Sequence, residues 1–296
     1  MLFACVQTRA QQYGTLKISP VSTFNMFREP SYISAFGGFG NIEPLMFEAD
    51  IIPYYMLSLN NNARWGIELS PRIILRMYNK ESYPVRTPSF MPRATFFYQI
   101  KDSKDYKRNW ITYFTWYHHS NGQDGSFYNA DSSSINTLSG NFSTNFLETG
   151  IFISRPDKKI PFMINYFKFY TNYCYKLDND LRTIYGRFRT FIDYQSLFNI
   201  SKILNSFNVS SLNSVHKSYL MQSYRFGWIT GSLGNVKSFD SKRFIFRYML
   251  SYKPSFFDDV TLFIQYYHGQ DYYNIYFYRT LSVLRFGIAA KTSIFN

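Results

Sequence analysis

The chain has 296 residues, 21% of them aromatic and 46% hydrophobic, yet its mean hydropathy is negative and no run of 18 apolar residues occurs, which excludes a transmembrane helix. The net charge is +13, but basic residues such as Arg182, Arg187, Arg189, Arg243 and Arg247 are scattered among apolar neighbours without an RNP-like, zinc or helix-turn-helix signature. Nucleic acid is therefore excluded as a partner, and the two distant cysteines, Cys5 and Cys174, exclude a disulfide framework and a thiolate metal site.

Abundant aromatics in alternating segments fit a membrane β-barrel, whose outside is apolar and whose inside is polar. A soluble β-sandwich is the other all-β reading. In a barrel the scattered cations become a row facing the lumen, or contacts with anionic surface glycolipid.

In chain order, Met1–Val6 is apolar but too short for a signal core. It reads as the tail of a secretory signal that starts upstream, making residues 1–10 a signal remnant and 11–30 an N-terminal segment. Twelve strands follow, at Ser31–Phe36, Leu45–Leu59, Trp65–Tyr78, Arg93–Ile100, Trp110–Ser120 and Phe142–Ser154 in the first half. The second half continues with Phe162–Tyr173, Thr183–Tyr194, Ser218–Trp228, Phe244–Tyr252, Val260–His268 and Leu281–Lys291. Several match the roughly 9–11 residues that a tilted strand needs to cross a bilayer. An even number lets the sheet close without edges, as lipid requires. Residues 31–296 thus read as one all-β domain, a twelve-stranded antiparallel transmembrane β-barrel. Short links alternate with long ones, except that the Gln195–Lys217 link is long where a short turn is due. The chain ends on Ile294-Phe295-Asn296, an aromatic assembly signal displaced by one place.

The chemistry is concentrated between Ile111 and Ile153. On the first strand Thr112, Phe114, Trp116, His118 and Ser120 share a face, because successive side chains alternate sides. On the second, Asn145, Leu147, Thr149, Ile151 and Ile153 do the same. Antiparallel pairing brings His118, Ser120 and Asn145 together at the polar end of an apolar strip. A serine hydroxyl needs a base to become a nucleophile, and His118, two residues away, is placed to serve. Asn145 then holds the imidazole tautomer, and Gly122 offers its amide N–H to an oxyanion. Asn141 and Asn136 compete for the third place. His119 belongs to the opposite face.

The run His118-His119-Ser120-Asn121-Gly122, followed by Ser143-Thr144-Asn145-Phe146-Leu147, resembles the outer-membrane phospholipase A family, which carries His-x-Ser-Asn-Gly and then Ser-x-Asn-x-Leu on the next strand. Pro84-Val85-Arg86 with Phe90 and Pro92, Gln265-Tyr266-Tyr267-His268-Gly269 and Arg285-Phe286-Gly287-Ile288 look like it as well. The likeness runs from Tyr32 to Ala290. It favours Asn145 as the third member, since Ser143 and Leu147 match the motif.

The resemblance implies calcium-dependent hydrolysis of phospholipid acyl esters in a bacterial outer membrane, with the active site facing the outer leaflet and a homodimer as the active form. Phe114 and Trp116 become interface candidates. Carried over by position, the metal ligands are Gln123 through its carbonyl, where the family has Arg; Asn141, where the family has a Ser ligand; and Ser82 or Tyr83 of the partner subunit. The loop before Asn145 is longer than the family's, and Asp124 and Asp131 in it are either substitute ligands or solvated charges. Two other functions compete: a lipid A deacylase, built on about eight strands, and a non-enzymatic porin or adhesin, in which Asn145 points into the lumen.

Overall fold

Alternation of apolar and polar side chains organises the whole molecule, a computed structural model that describes residues 19–102, 109–131, 134–156, 163–200, 218–257 and 259–290. The segment 1–10 expected to be a signal remnant, Cys5, most of the Gln195–Lys217 link and Phe295 lie outside the described residues. The strands are β1 (Ser31–Ala35), β2 (Leu45–Ile51), β3 (Tyr55–Leu57), β4 (Trp65–Tyr78), β5 (Ser89–Asp102), β6 (Asn109–Ser120) and β7 (Ser143–Pro156). They continue with β8 (Met163–Leu177), β9 (Phe188–Asn199), β10 (Tyr219–Thr230), β11 (Phe244–Lys253), β12 (Val260–Gln270) and β13 (Thr280–Ala290).

All pairings between strands are antiparallel, and the ring closes because β1 pairs with both β13 and β2, and β2 with β4. Both β2 and β3 lie along β4, so they are two parts of one stave and the barrel has twelve. The expected continuous strand over Leu45–Leu59 breaks at Ile52–Tyr54, where Pro53 cannot donate to the ladder. The expected strand from Thr183 instead begins at Phe188, after a 3₁₀ turn at Asn179–Leu181 and Gly186 at φ +83°. Gly186 suits that turn because a Cβ there would collide with the Ile229 side chain.

The outward face is apolar. Ile67 and Leu69 on β4, Phe96 and Tyr98 on β5, Phe167 and Phe169 on β8, and Leu284, Phe286 and Ile288 on β13 are all exposed at alternate positions. Between them the polar side chains turn inward, as with Glu68, Thr95 and the fully buried Arg285. This inverts a soluble sandwich and is the pattern of a barrel whose wall meets lipid.

The lumen is filled in three layers. At one end the short helix α1 (Pro20–Met26), capped by Ser19 Oγ accepting from Ser22 N at 3.0 Å, sits inside the barrel. Phe24 stacks on Phe97 with ring centroids 4.5 Å apart, and Phe27 stacks on Phe152 at 4.3 Å. The middle layer is ionic. Arg28 pairs with Glu68, Lys168 with Glu148, and Arg76 with Glu48 and Asp271. Glu29 receives Arg72, Arg225 and Arg247, while Arg72 and Arg225 also hold Asp50 and Asp193. Burial by itself would raise the Glu29 pKa, but Arg225, Arg72 and Arg247 outweigh it and hold the carboxyl well below the usual range. The third layer is an aromatic roof from the loops at the other end, including Phe127, Phe142, Tyr185, Tyr273, Tyr276 and Phe277.

The row of lumen cations is therefore real but differently composed. Of the five arginines read from the sequence, Arg189 and Arg247 reach the lumen. Arg182 and Arg187 are exposed, because they fall in the β8–β9 connection rather than in a strand. Arg243 is buried in the β10–β11 connection, where it donates to the carbonyls of Ile229, Gly231, Val236 and Lys237.

Candidate active site

The register of β6 against β7 places His118 opposite Asn145 and Ser120 opposite Ser143, with no bulge between these strands. His118 Nδ1 lies 3.0 Å from Asn145 Oδ1. With the proton on Nδ1, the ring donates to the amide oxygen and its Nε2 lone pair is left to serve as a base. Both residues are half-buried on the outer wall, as is Ser120. Among the described residues no hydrogen bond joins the Ser120 hydroxyl to His118, so the His118–Asn145 contact is closed and the Ser120–His118 one is open. Ser120 and His118 are two positions apart on one strand face, about 6.6 Å between Cα atoms, within reach for their side chains.

Asn145 faces outward, which removes the arrangement expected of a porin lumen. Its competitors are occupied elsewhere. Asn136 folds the long loop, its Oδ1 accepting from Leu138 N and Ser139 N and its amide donating to Ser126 O. Asn141 is exposed, its backbone N–H donating to Gly125 O at 2.9 Å. His119 turns inward as expected, with Nδ1 2.9 Å from Tyr185 Oη.

Around the site the wall is aromatic. Trp116 stacks beside His118 with centroids 6.5 Å apart, and its Nε1 donates to Tyr175 Oη at 2.9 Å. Tyr175 reaches that position because the β7–β8 register shifts between Asn145 and Phe146, leaving Tyr175 as the extra residue of a bulge. Phe114, Trp116 and Phe90 are exposed, forming an apolar apron below Ser120. Nothing in the strand alternation of β8 signals the bulge, so sequence reasoning missed Tyr175.

Sequence reasoning also missed Asn121. It is fully buried directly after Ser120, and its amide donates to Gly140 O at 2.8 Å and to Asn274 Oδ1 at 2.8 Å. Its Oδ1 accepts from Phe142 N at 3.3 Å. Asn274, 2% exposed, in turn donates to Thr87 O. One side chain thus ties both ends of the loop to the roof over the lumen. Asn121→Ala is expected to lower kcat for the reaction proposed below by roughly 10–100-fold, by freeing the Ser120–Gly122 turn, with stability falling by about 1–3 kcal/mol. Paired kinetics and urea melts of the variant test this; unchanged kcat would show that the loop holds its shape without it.

Gly122 is exposed and has φ +66°, a backbone conformation that favours glycine, with the Phe90 ring in ordinary contact at 3.4 Å from where a Cβ would stand. It follows Ser120 by two residues, at an exposed position. For a metal, no cluster of three or more His, Cys, Asp or Glu side chains occurs among the described residues, and the donors carried over by position, Gln123, Asn141 and Ser82, are neutral. Gln123 lies one residue past Gly122, with its side chain donating to Leu138 O at 2.8 Å. Asn141 stands across the loop, beside the Gly125–Gly140 bridge, and Ser82 is exposed in the β4–β5 connection. Asp124 and Asp131 are exposed loop residues. Neutral oxygen donors of this kind, exposed at Asn141 and Ser82 and half-buried at Gln123, fit a hard cation such as Ca²⁺, and their lack of charge fits a weak site.

No protein-family model and no curated protein matches the sequence. Solved structures do match in shape. Outer-membrane phospholipase A from Escherichia coli superposes with a TM-score of 0.55 at 13% identity, over 93% of this chain and 98% of that one. A variant of the E. coli protein with an active-site asparagine changed to alanine gives 0.55 at 12% identity, over 97% and 96%. The Salmonella typhi outer-membrane phospholipase, described as a dimer with bound calcium, gives 0.53 at 14% identity, over 92% and 98%. The chain has the twelve-stranded barrel fold of outer-membrane phospholipase A.

Proposed function

We propose that this barrel is a calcium-assisted serine esterase that hydrolyses the acyl esters of glycerophospholipids in a bacterial outer membrane. The observation that carries the reading is the His118–Asn145 pair, closed at 3.0 Å on the lipid-facing wall beside Ser120. A lumen site would serve a solute passing through; an outer-wall site at the end of an apolar apron serves a molecule lying in lipid. The fold shared with phospholipases, one of them described as having an active-site asparagine, supports the same reading. Twelve staves rather than about eight weigh against a lipid A deacylase.

In this mechanism Ser120 Oγ attacks the ester carbonyl while His118 Nε2 takes its proton. The imidazolium is held by Asn145 Oδ1, which accepts the Nδ1–H throughout. Being neutral, the amide steadies that cation less than a carboxylate would, so the turnover is slower than for an Asp triad. The Gly122 N–H donates to the oxyanion. His118 then returns its proton to the departing glycerol or lysolipid oxygen, leaving acyl-Ser120, and a water activated by the same base releases the fatty acid. Gln123, Asn141 and the partner subunit's Ser82 would hold calcium, which supplies positive charge near the oxyanion. Dimerisation through Phe114 and Trp116 brings the partner's loop to the site and covers the acyl chain. The substrate pool is phospholipid in the outer leaflet, on the side of the long loops.

The test is fatty-acid release from phospholipid–detergent mixed micelles by the refolded protein. Release is expected to fall at least about tenfold with chelator and to recover with calcium at about 10⁻⁴–10⁻³ M, the range of weakly charged sites. Release indifferent to chelator would keep the esterase and discard the metal. No release from a barrel shown to be folded and dimeric would sink the enzymatic reading.

A further inference from the structure

We propose that the cavity in the barrel lumen behind β6 is a binding site for a small oxyanion of the phosphate or sulfate class. The cavity measures about 170 Å³, more than ten times the roughly 10–15 Å³ that a single water requires. Its wall carries a charge imbalance. The ion pairs of the middle layer account for all but two of its charged side chains. The exceptions are Arg93 and Arg189, which among the described residues make no direct ion pair and hydrogen-bond only to neutral groups.

Arg93 donates from Nη1 to Tyr117 Oη at 2.7 Å and from Nη2 to Tyr54 Oη at 3.0 Å, and its buried Nε has no partner. Arg189 donates to Tyr185 O and to Gln270 Oε1. A third group on the wall is also incomplete. His119 is 2% exposed, and its Nε2 is buried without a partner. If Tyr185 Oη donates to Nδ1, the imidazole carries its proton on Nε2 and becomes a donor. Two guanidinium groups without a direct ion pair and one orphan ring N–H, all lining one cavity large enough for several waters, are the elements of an oxyanion site. Glu29 and Glu68 act on the Arg93 charge without pairing with it directly, and an anion with several acceptor oxygens would supply both a direct counter-charge and the hydrogen bonds.

Arg93 stands opposite Tyr117 in the β5–β6 register, and Tyr117 and His119 are the inner-face neighbours of His118 and Ser120. The anion would therefore brace the strand that carries the esterase cluster, from the other side of the wall.

The experiment is a calorimetric and thermal titration of the detergent-solubilised, full-length protein with inorganic phosphate and, separately, sulfate. Sodium gluconate keeps the ionic strength constant. One saturable site per chain and a saturable rise in Tm are expected in the wild type, with affinity weakened about tenfold or more in each of Arg93→Gln and Arg189→Gln. Arg182→Gln, which removes an exposed arginine outside the lumen, should bind as the wild type does. No saturable binding in the wild type, binding at many sites per chain, or undiminished binding in either folded glutamine variant would overturn the proposal. Should Arg93→Gln fail to refold, the Arg189→Gln variant and the wild-type stoichiometry decide it. Ester release plays no part in the readout.

Discussion

Replacing Ser120 by alanine is expected to lower kcat for phospholipid ester release by about 10⁴-fold or more, leaving the barrel folded. The side chain is half-buried on the wall and makes no hydrogen bond that holds strands together, so its removal should not cost stability. His118→Ala should lose a similar factor, and the double variant should be no worse than either single one, because nucleophile and base act as one unit. Asn145→Ala is expected to cost less, on the order of 10²-fold and in kcat rather than KM, since it orients the base without touching the reacting carbonyl. Steady-state kinetics on mixed micelles, with heat-modifiable migration as the check on folding, measures all four. Ser120→Ala within a few-fold of the wild type would mean that the nucleophile is another group.

Arg76→Ala is expected to destabilise the barrel by about 3–5 kcal/mol, the cost of stripping one partner from a buried ionic network. Arg76 is 1% exposed and bridges two carboxylates, its Nε donating to Glu48 at 2.7 Å and its two Nη groups to Asp271 at 2.9 Å each. Glu48 keeps Tyr32, Tyr272 and Arg285 after the change, but Asp271 loses its only ion pair among the described residues. Asp271 opens the connection that carries Asn274, the partner of Asn121, so the loss should also spread to the Ser120 turn. Urea unfolding in micelles, as an equilibrium midpoint or an unfolding rate, gives the magnitude. A shift below about 1 kcal/mol would show that water replaces the guanidinium without penalty.

The general form of the barrel was legible in the chain because lipid imposes a period of two on every stave. Phe96, Tyr98 and Ile100 must face out while Thr95, Phe97 and Gln99 face in, whatever the neighbours are. The same rule put His118, Ser120 and Asn145 on one face, since the two matched strands either side of a polar loop leave few registers that keep both apolar strips outside. The N-terminal segment was not legible. Pro20–Met26 reads as an unremarkable stretch until the curvature of the closed sheet brings Phe97, Phe152 and Phe191 around it.

What the sequence by itself determined was therefore the number of staves, the inside and outside of the wall, and the residues eligible for chemistry, because each depends on local alternation. What only the tertiary structure decided was which polar residues meet across the lumen and across the loops. Glu29 finds Arg72, Arg225 and Arg247, and Asn121 finds Asn274, through contacts that join residues 43, 196, 218 and 153 positions apart. The Tyr175 bulge, too, exists only as a mismatch between two paired strands. Such pairings carry no periodic signal, since they are set by where closure of the barrel places each side chain, and they arise only once the ring is shut.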